Sequence, residues 1–189
     1  MKTEPKNLTI RSEVIPSDPA AVEEIVISSG FFRPDEVPVA VELVEEGLEK
    51  GRESGYDFVF IEMDGRTVAY ACFGLIPCTL YSYDLYWIAT HEDFRGKGLG
   101  RIVLREVEKA VGDAGGKSIY IETSCLPKYD PTRAFYLKND YSEKARFEDF
   151  YNEGDDKVVY VKRLSEYCHP DEGRDPVALV RGKEGLASA

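Results

Sequence analysis

A glycine-rich loop between a predicted strand and a predicted helix is the feature that most constrains this chain. Residues 95–101 read Arg-Gly-Lys-Gly-Leu-Gly-Arg, and they follow a strand pattern that ends near Ala89. A helical stripe of apolar residues begins at Leu99. Glycine lets the backbone approach a ligand closely, and the first N–H groups of a helix have no partner within the helix. The loop therefore predicts a site for phosphate oxygens, with a basic surface turn as the alternative.

Two common phosphate-binding motifs do not match this loop. A Walker loop requires Ser or Thr after Gly-Lys, whereas Gly98 follows Lys97 here. A dinucleotide fingerprint requires Gly-x-Gly-x-x-Gly near the first strand of the domain, whereas Arg101 stands three residues after Gly98. The sequence thus argues against a nucleoside triphosphatase and against a dinucleotide-binding domain.

The apolar patterns predict an α/β (α+β) domain over residues 1–164. The predicted strands are 8–14, 56–63, 67–76, 82–89, 118–123, 141–150 and 157–164. The predicted helices run from near 19 to 29, from near 34 to 48, from 99 to 111 and from 131 to 138. We expect one mixed, mostly antiparallel sheet of about seven strands with about four helices, and one parallel pair around the third helix. Residues 165–189 are predicted to form a mobile tail.

Charge and cysteine content limit the classes of partner and ligand that the chain is expected to bind. The chain of 189 residues has 35 acidic and 24 basic side chains and a net charge of −11, which disfavours nucleic acids and anionic membrane surfaces. No apolar run approaches the ~18 residues of a membrane span, and the first residues do not resemble a signal peptide. We therefore expect a cytoplasmic protein. The 4 cysteines and 2 histidines lack the spacing of a metal site, so no metal is predicted.

Two segments carry a resemblance to a known family. Residues 95–100 fit the pattern Arg/Gln-x-x-Gly-x-Gly/Ala, which resembles the acetyl-CoA motif of GNAT-type (GCN5-related) N-acetyltransferases. Residues 130–141 resemble that family's Phe-Tyr-x-x-x-Gly-Phe segment, with Asp140 and Tyr141 in place of glycine and phenylalanine. The resemblance extends over residues 8–164 and implies acetyl-CoA as the co-substrate.

The resemblance also implies which residues hold the coenzyme. The motif begins at Arg95, and the backbone amides that would hold the diphosphate are those of Gly96, Lys97, Gly98, Leu99, Gly100 and Arg101. The end of the preceding strand, Ile88, Ala89 and Thr90, would pair with the pantetheine arm. A backbone N–H near Ile88 or Ala89 would face the thioester oxygen, and such a donor typically contributes ~3 kcal/mol to a transition state.

Two side chains are candidates for acid–base chemistry. Tyr136 matches the family tyrosine that can protonate the leaving thiolate, although an aromatic packed beneath a short helix explains it too. Asp84 precedes Arg95 at the offset of the catalytic glutamate in the histone-acetylating branch. On a strand rich in aromatics its pKa would rise by desolvation, which suits a base. A surface aspartate at a sheet edge is the alternative, and Glu122 and Glu62 are the next candidates for the base.

The acceptor side is predicted from fewer signals. Phe31 and Phe32 either wall the acceptor pocket or hold the first two helices to the sheet, Tyr129 is a further pocket candidate, and Trp87 is expected in the core. Glu122 is a candidate substrate-binding residue. The second helix has an acidic face that would favour a cationic acceptor, formed by Glu42, Glu45, Glu46 and Glu49.

The expected function is transfer of an acetyl group to a primary amine of a small molecule, by direct attack in a ternary complex. Two other functions stay open, a non-catalytic acyl-CoA-binding module and a peptide or protein N-acetyltransferase. A homodimer is compatible with the sequence.

Overall fold

A single seven-stranded sheet organises the protein. The computed structural model describes residues 7–164. Its strands are β1 (Leu8–Arg11), β2 (Asp57–Met63), β3 (Arg66–Leu75), β4 (Ser82–Thr90), β5 (Ser118–Ser124), β6 (Ser142–Asn152) and β7 (Asp155–Arg163). Its α-helices are α1 (Asp18–Ser29), α2 (Glu36–Lys50), α3 (Leu99–Asp113) and α4 (Asp130–Lys138). The predicted fold class, a mixed sheet with four helices, is confirmed for these residues.

The middle of the sheet is split between β4 and β5. The strand order is β1-β2-β3-β4-β5-β7-β6, and every neighbouring pair is antiparallel except β4 with β5. This parallel pair extends only from Ser82, opposite Ser118, to Asp84, opposite Tyr120. Beyond Asp84 the two strands have no pairing. One edge of β4 is therefore left open in the centre of the sheet.

Helices cover both faces of the sheet and create two cores. On one face α3 packs through Val103, Val107 and Val111 against strand residues such as Ile121. On the other face, buried side chains of α1 and α2 pack against Phe60, Tyr70 and their neighbours, among them Val22, Ile25, Val26 and Val44. Burial of each such aliphatic side chain contributes about 1.5–3 kcal/mol to folding.

The predicted first strand is shorter in the structure than the predicted range 8–14. It ends at Arg11, which pairs with Phe60 of β2. Asp18, at the start of α1, has a fully buried carboxylate. This carboxylate accepts the backbone N–H of Ile15 at 2.8 Å and forms an ion pair with Arg11. These contacts turn the chain into α1, so the alternating pattern of residues 12–14 does not extend the strand.

The buried face of α2 also differs from the prediction. Val37, Val41, Val44 and Leu48 recur at helical spacing in the sequence, which predicts an inward-facing stripe on α2. In the structure Val44 is buried and Val37 packs against the core, as the stripe predicts, but Ala40 and Gly47 are also buried and Leu48 is 39% exposed. A Cβ at Gly47 would lie 2.5 Å from the ring of Phe58. The buried face of the helix is therefore displaced from the predicted stripe toward its small residues Ala40 and Gly47.

Three findings concern the predictions about membrane spans, metal sites and residues 165–189. Within residues 7–164 no helix is both long and apolar enough to cross a membrane. In the same range, His, Cys, Asp and Glu side chains form no group of three or more that could hold a metal ion. The tail predicted over residues 165–189 lies outside the described residues.

Candidate active site

A cavity of about 1170 Å³ opens where β4 and β5 separate. Its walls come from the second half of β4, the glycine loop with the start of α3, the end of β5, α4, and the loop between α1 and α2. The β6–β7 hairpin contributes Tyr151 and Asp155. The split in the sheet thus brings most of the predicted site residues to one place.

A β-bulge in β4 sets the direction of its side chains. Cys72 of β3 pairs with Trp87 and Phe73 pairs with Leu85, so Tyr86 is an extra residue in β4. In a regular strand, residues two apart lie on the same face. Here Leu85 packs in the core beneath α3, whereas Trp87 packs on the opposite face with α1 and α2. The bulge therefore reverses the alternation at Tyr86.

The consequence of the bulge is that two adjacent aromatic residues face the acceptor side. Tyr86 contacts Tyr56, and Trp87 contacts Phe32, both on the α1–α2 side of the sheet. Asp84 also lines the cavity. Trp87, which is expected in the core, packs partly buried against the core beneath α1 and α2 and also lines the cavity.

The glycine loop presents unpaired backbone amides at the start of α3. Gly96 and Gly98 have φ values of 72° and 82°, in the left-handed region that glycine adopts readily. Within the described chain, the N–H groups of residues 96–100 have no hydrogen-bond partner. The N–H of Arg101, predicted as part of the same set, donates to the carbonyl of Gly98 at 3.1 Å. Consecutive free amides at a helix N-terminus form a concave binding site for an anion.

The basic side chains of this loop have different roles. Lys97 turns back to donate to the carbonyl of Asp93 at 2.7 Å, and its side chain does not line the cavity. Arg95 donates to the carbonyl of Ser29, and its guanidinium lies 5.1 Å from the centre of the Phe31 ring. Arg101 lines the cavity and has no ion-pair partner within residues 7–164. Arg101 is thus the loop side chain whose charge is available to an anion.

Ile88, Ala89 and Thr90 line the cavity along the open edge of β4. Their pairing with β3 is intact, since Ile88 lies opposite Ala71 and Thr90 opposite Ala69. No β5 residue pairs with them. Backbone groups on this edge can therefore pair with an extended ligand as a neighbouring strand would.

Tyr136 lies at the junction of the cavity and the main core. It is 4% exposed, it lines the cavity, and its ring is 5.8 Å from that of Tyr160. Burial raises its pKa well above the ordinary value of 10.0. The hydroxyl therefore keeps its proton at neutral pH. The next turn keeps the shape that glycine would give, because Asp140 has a φ of 67°.

Asp84 is a half-buried carboxylate in the middle of the sheet, not at an edge. Burial raises its pKa above the ordinary value of 3.8, the neighbouring charge of Glu122 raises it further, and Lys157 lowers it. Glu122 also lines the cavity, and its carboxylate pairs with Lys157 at 3.1 Å. The other candidate base, Glu62 of β2, pairs with Arg11 of β1 and does not line the cavity.

Phe31 and Phe32 both line the cavity from the α1–α2 loop. Phe32 also packs against the core beneath α1 and α2, so it walls the cavity and holds the helices to the sheet. Phe31 is held from the opposite wall, because Tyr129 Oη donates to its carbonyl at 2.8 Å and Lys128 Nζ at 3.0 Å. The α1–α2 loop is thus fastened to the segment before α4.

Several cavity residues have no signal in the sequence. Tyr56, Tyr86 and Tyr151 line the cavity, and Glu36 does so from the first turn of α2. The acidic face predicted to attract cations does not contribute, because none of Glu42, Glu45, Glu46 and Glu49 lines the cavity. The position of the bulge in β4 would have indicated that Tyr86 faces the cavity. The alternation of apolar and polar residues in the sequence does not show where a bulge lies.

Comparison with known proteins identifies the family. The acetyltransferase (GNAT) family matches residues 23–141, which is more than half of the chain. A GNAT-family protein from Desulfovibrio desulfuricans is 43% identical, covers 84% of this chain and 100% of its own, and superposes with a TM-score of 0.83. The chain therefore belongs to the GNAT family, as the two motifs predicted. No curated protein matches it significantly.

More distant structures share the fold. YncA from Salmonella typhimurium, solved with its cofactor acetyl-CoA, is 20% identical, covers 87% of this chain and 98% of its own, and has a TM-score of 0.66. The ribosomal-protein-S18-alanine N-acetyltransferase from Escherichia coli is also 20% identical, covers 84% of this chain and 95% of its own, and has a TM-score of 0.67.

Proposed function

We propose that this protein transfers an acetyl group from acetyl-CoA to a primary amine of a small molecule, by direct attack in a ternary complex. The observation that carries the proposal is the position of the unpaired amides of residues 96–100. They open on the same cavity as Asp84 and Tyr136.

The residues of the cavity fit a coenzyme A thioester. The amides of residues 96–100 would hold the diphosphate, and Arg101 would add one positive charge beside it. The open edge of β4 at Ile88–Thr90 would receive the extended pantetheine arm. When bound, acetyl-CoA supplies an activated acetyl group. Every other contribution comes from this chain.

Asp84 would accept a proton from the incoming amine. Alkylammonium ions have a pKa near ~10, so the amine must lose a proton before it can attack. Because burial and Glu122 raise the pKa of Asp84, its carboxylate is a better proton acceptor than a solvated aspartate. The Asp84 carboxylate also has no hydrogen bond or ion pair with any other described side chain or backbone group, which leaves its oxygens available.

Tyr136 would donate the proton that the departing sulfur requires. Its hydroxyl is protonated at neutral pH, as that of a tyrosine with the ordinary pKa of 10.0 also is, and burial raises this pKa further. The ring is held by Tyr141 at 6.0 Å and Tyr160 at 5.8 Å, so the donor is positioned before substrate binds. In this proposal Asp84 of β4 acts as the base and Tyr136 of α4 acts as the acid.

The β6–β7 hairpin favours a small acceptor over a peptide. The pKa of Tyr151 rises to about 12 because its side chain, although 40% exposed, is partly desolvated and because Glu122, Asp155, Glu36 and Tyr129 lie near it. These neighbours belong to different walls of the cavity, so the hairpin reaches across the acceptor half. A peptide would require an open groove at this place.

Release of coenzyme A thiol in the presence of an amine panel tests the proposal. We expect thiol release that depends on the amine, with the acetylated amine detected by mass spectrometry. Calorimetry with coenzyme A measures binding separately. Binding without turnover on any amine would support a non-catalytic acyl-CoA-binding module, and turnover on peptides alone would support a protein N-acetyltransferase.

A further inference from the structure

We infer that the acceptor is a primary monoamine whose amino group is attached to an apolar body, such as an arylalkyl group or an alkyl chain of about five carbons or more. This inference rests on the proposed function. It follows from the juxtaposition of one unpaired carboxylate, Asp84, with two aromatic pairs that line the same cavity on the α1–α2 side of the sheet.

The aromatic walls come from the bulge in β4. Tyr86 and Tyr56 form an edge-to-face pair with ring centres 5.7 Å apart, and Trp87 and Phe32 form a tilted pair 4.7 Å apart. Val39 and Leu43 of α2 complete this wall. Tyr86 is 39% exposed and Val39 is 46% exposed, although both line a concave surface. Apolar surface exposed inside a cavity is the surface that an apolar ligand covers.

The carboxylates of the cavity provide one anchor for a cation. Glu36 accepts the backbone N–H of Arg33 at 2.6 Å, Glu122 pairs with Lys157, and Asp155 accepts the hydroxyl of Ser124. Among the described residues that line the cavity, Asp84 is the carboxylate without such a partner. A single ammonium group would therefore find its counter-charge at Asp84.

A second ammonium group would meet an unfavourable environment. Lys128 lines the cavity, and its ammonium contacts the carbonyl of Phe31 and the ring of Tyr129. No carboxylate within residues 7–164 pairs with Lys128, so its charge would repel another cation. The wall formed by the two aromatic pairs with Val39 and Leu43 carries no charged side chain, and a charged group against it would lose hydration without an ion-pair partner. Diamines and polyamines are thus disfavoured relative to monoamines.

A panel of matched amines tests this inference on the full chain with acetyl-CoA. Hexylamine and 1,5-diaminopentane differ only in a terminal methyl or ammonium group, and ethylamine removes the apolar body. We expect kcat/KM for hexylamine and for 2-phenylethylamine to exceed that for ethylamine and for 1,5-diaminopentane by about tenfold or more. Comparable or higher kcat/KM for the diamine or for ethylamine would overturn the inference.

A variant locates the preference in the wall. Tyr86→Ser is expected to lower the ratio of kcat/KM for hexylamine to that for ethylamine by about tenfold. Tyr81→Ser is the matched control, because Tyr81 is 41% exposed and lies outside the cavity wall. If Tyr86→Ser does not fold, Leu43→Asn tests the same wall from α2, and the wild-type panel needs no variant. An unchanged ratio in a folded Tyr86→Ser protein would contradict the assignment.

The outcomes separate this inference from the proposed function. Turnover of amines without an apolar preference overturns the inference and leaves the proposed function standing. No turnover of any amine, while calorimetry shows that coenzyme A binds, overturns both.

Discussion

The two halves of the cavity are built from different parts of the chain. The half that we propose binds coenzyme A, the coenzyme half, uses backbone amides of one short loop, residues 96–100, together with the open edge of β4. The half that we propose binds the amine is the acceptor half. The acceptor half uses side chains of Phe31, Tyr56, Tyr86 and Tyr151 from separate elements. A backbone site depends on local conformation, whereas a side-chain site depends on how distant segments pack. Local changes should therefore damage the first half strongly, and changes in the second should be graded.

The largest effect is expected from Gly98→Glu. Gly98 has a φ of 82°, where a side chain is strained, and a glutamate would place its own carboxylate at the free amides. We expect the Kd for coenzyme A to rise by about 100-fold or more, measured by calorimetry. Gly112→Glu is the control, because it introduces the same charge into the same helix at a position without close contacts. Equal weakening by both variants would mean that charge, not the loop, determines binding.

The coenzyme half could be predicted because its signal is local. Residues 95–101 carry the motif, the flanking strand and helix have clear periodicity, and glycine at positions 96 and 98 permits the positive φ values found there. The number of strands, the number of helices and the one parallel pair of strands are predicted from the same local patterns. The physical reason is that backbone conformation and amphipathic period are encoded within a few residues.

The acceptor half could be predicted only in part. Phe31, Phe32, Asp84 and Glu122 line the cavity, but Trp87 was assigned to the core and Tyr86 received no role. The bulge that directs both side chains arises from the register between β3 and β4, which no local pattern encodes. The acidic face of α2 was a poor guide to the cavity wall for a related reason. Its side chains are close to the site along the chain and yet do not line the cavity.

Tyr136→Phe should have the next largest effect, on turnover rather than on binding. The substitution removes only the hydroxyl, and the ring contacts with Tyr141 and Tyr160 are kept. We expect kcat to fall by about 100-fold, as is typical when a general acid is removed, with little change in the Kd for coenzyme A. Steady-state kinetics at saturating acetyl-CoA provides the measurement.

Tyr160→Phe is the control for this variant, because Tyr160 contacts Tyr136 and is only 2% exposed, but it does not line the cavity. Its kcat should remain near that of the wild type. If Tyr136→Phe keeps full turnover, Tyr136 serves only in packing and the acid must be another group.

Tyr129→Phe should produce a smaller effect, confined to the acceptor half. Tyr129 Oη donates to the carbonyl of Phe31 at 2.8 Å, and loss of one such bond costs about 1 kcal/mol. The α1–α2 loop keeps its second bond from Lys128. We expect the KM for the amine to rise by about fivefold, with the Kd for coenzyme A unchanged. A change in coenzyme binding instead would show that the two halves are not separable at this wall.

The smallest expected effect is a shift of the pH profile in Glu122→Gln. Glu122 raises the pKa of Asp84 and also pairs with Lys157, which lowers that pKa. Removing the Glu122 charge therefore lowers the pKa of Asp84 in two ways. The raising effect of Glu122 is lost, and the charge of Lys157 is no longer paired with Glu122. A base must be deprotonated to act, so the acidic limb of the kcat/KM profile should move to lower pH. The distant Glu53→Gln is the control, because Glu53 does not line the cavity.

The opposite sign is expected for Lys157→Met. Methionine keeps an unbranched side chain against Phe150, whose ring centre lies 3.9 Å from Lys157 Nζ, but it removes the positive charge that lowers the pKa of Asp84. The same acidic limb should then move to higher pH. Because the two substitutions change neighbouring charges of opposite sign, limbs that shift in the same direction, or do not shift, would exclude Asp84 as the titrating base.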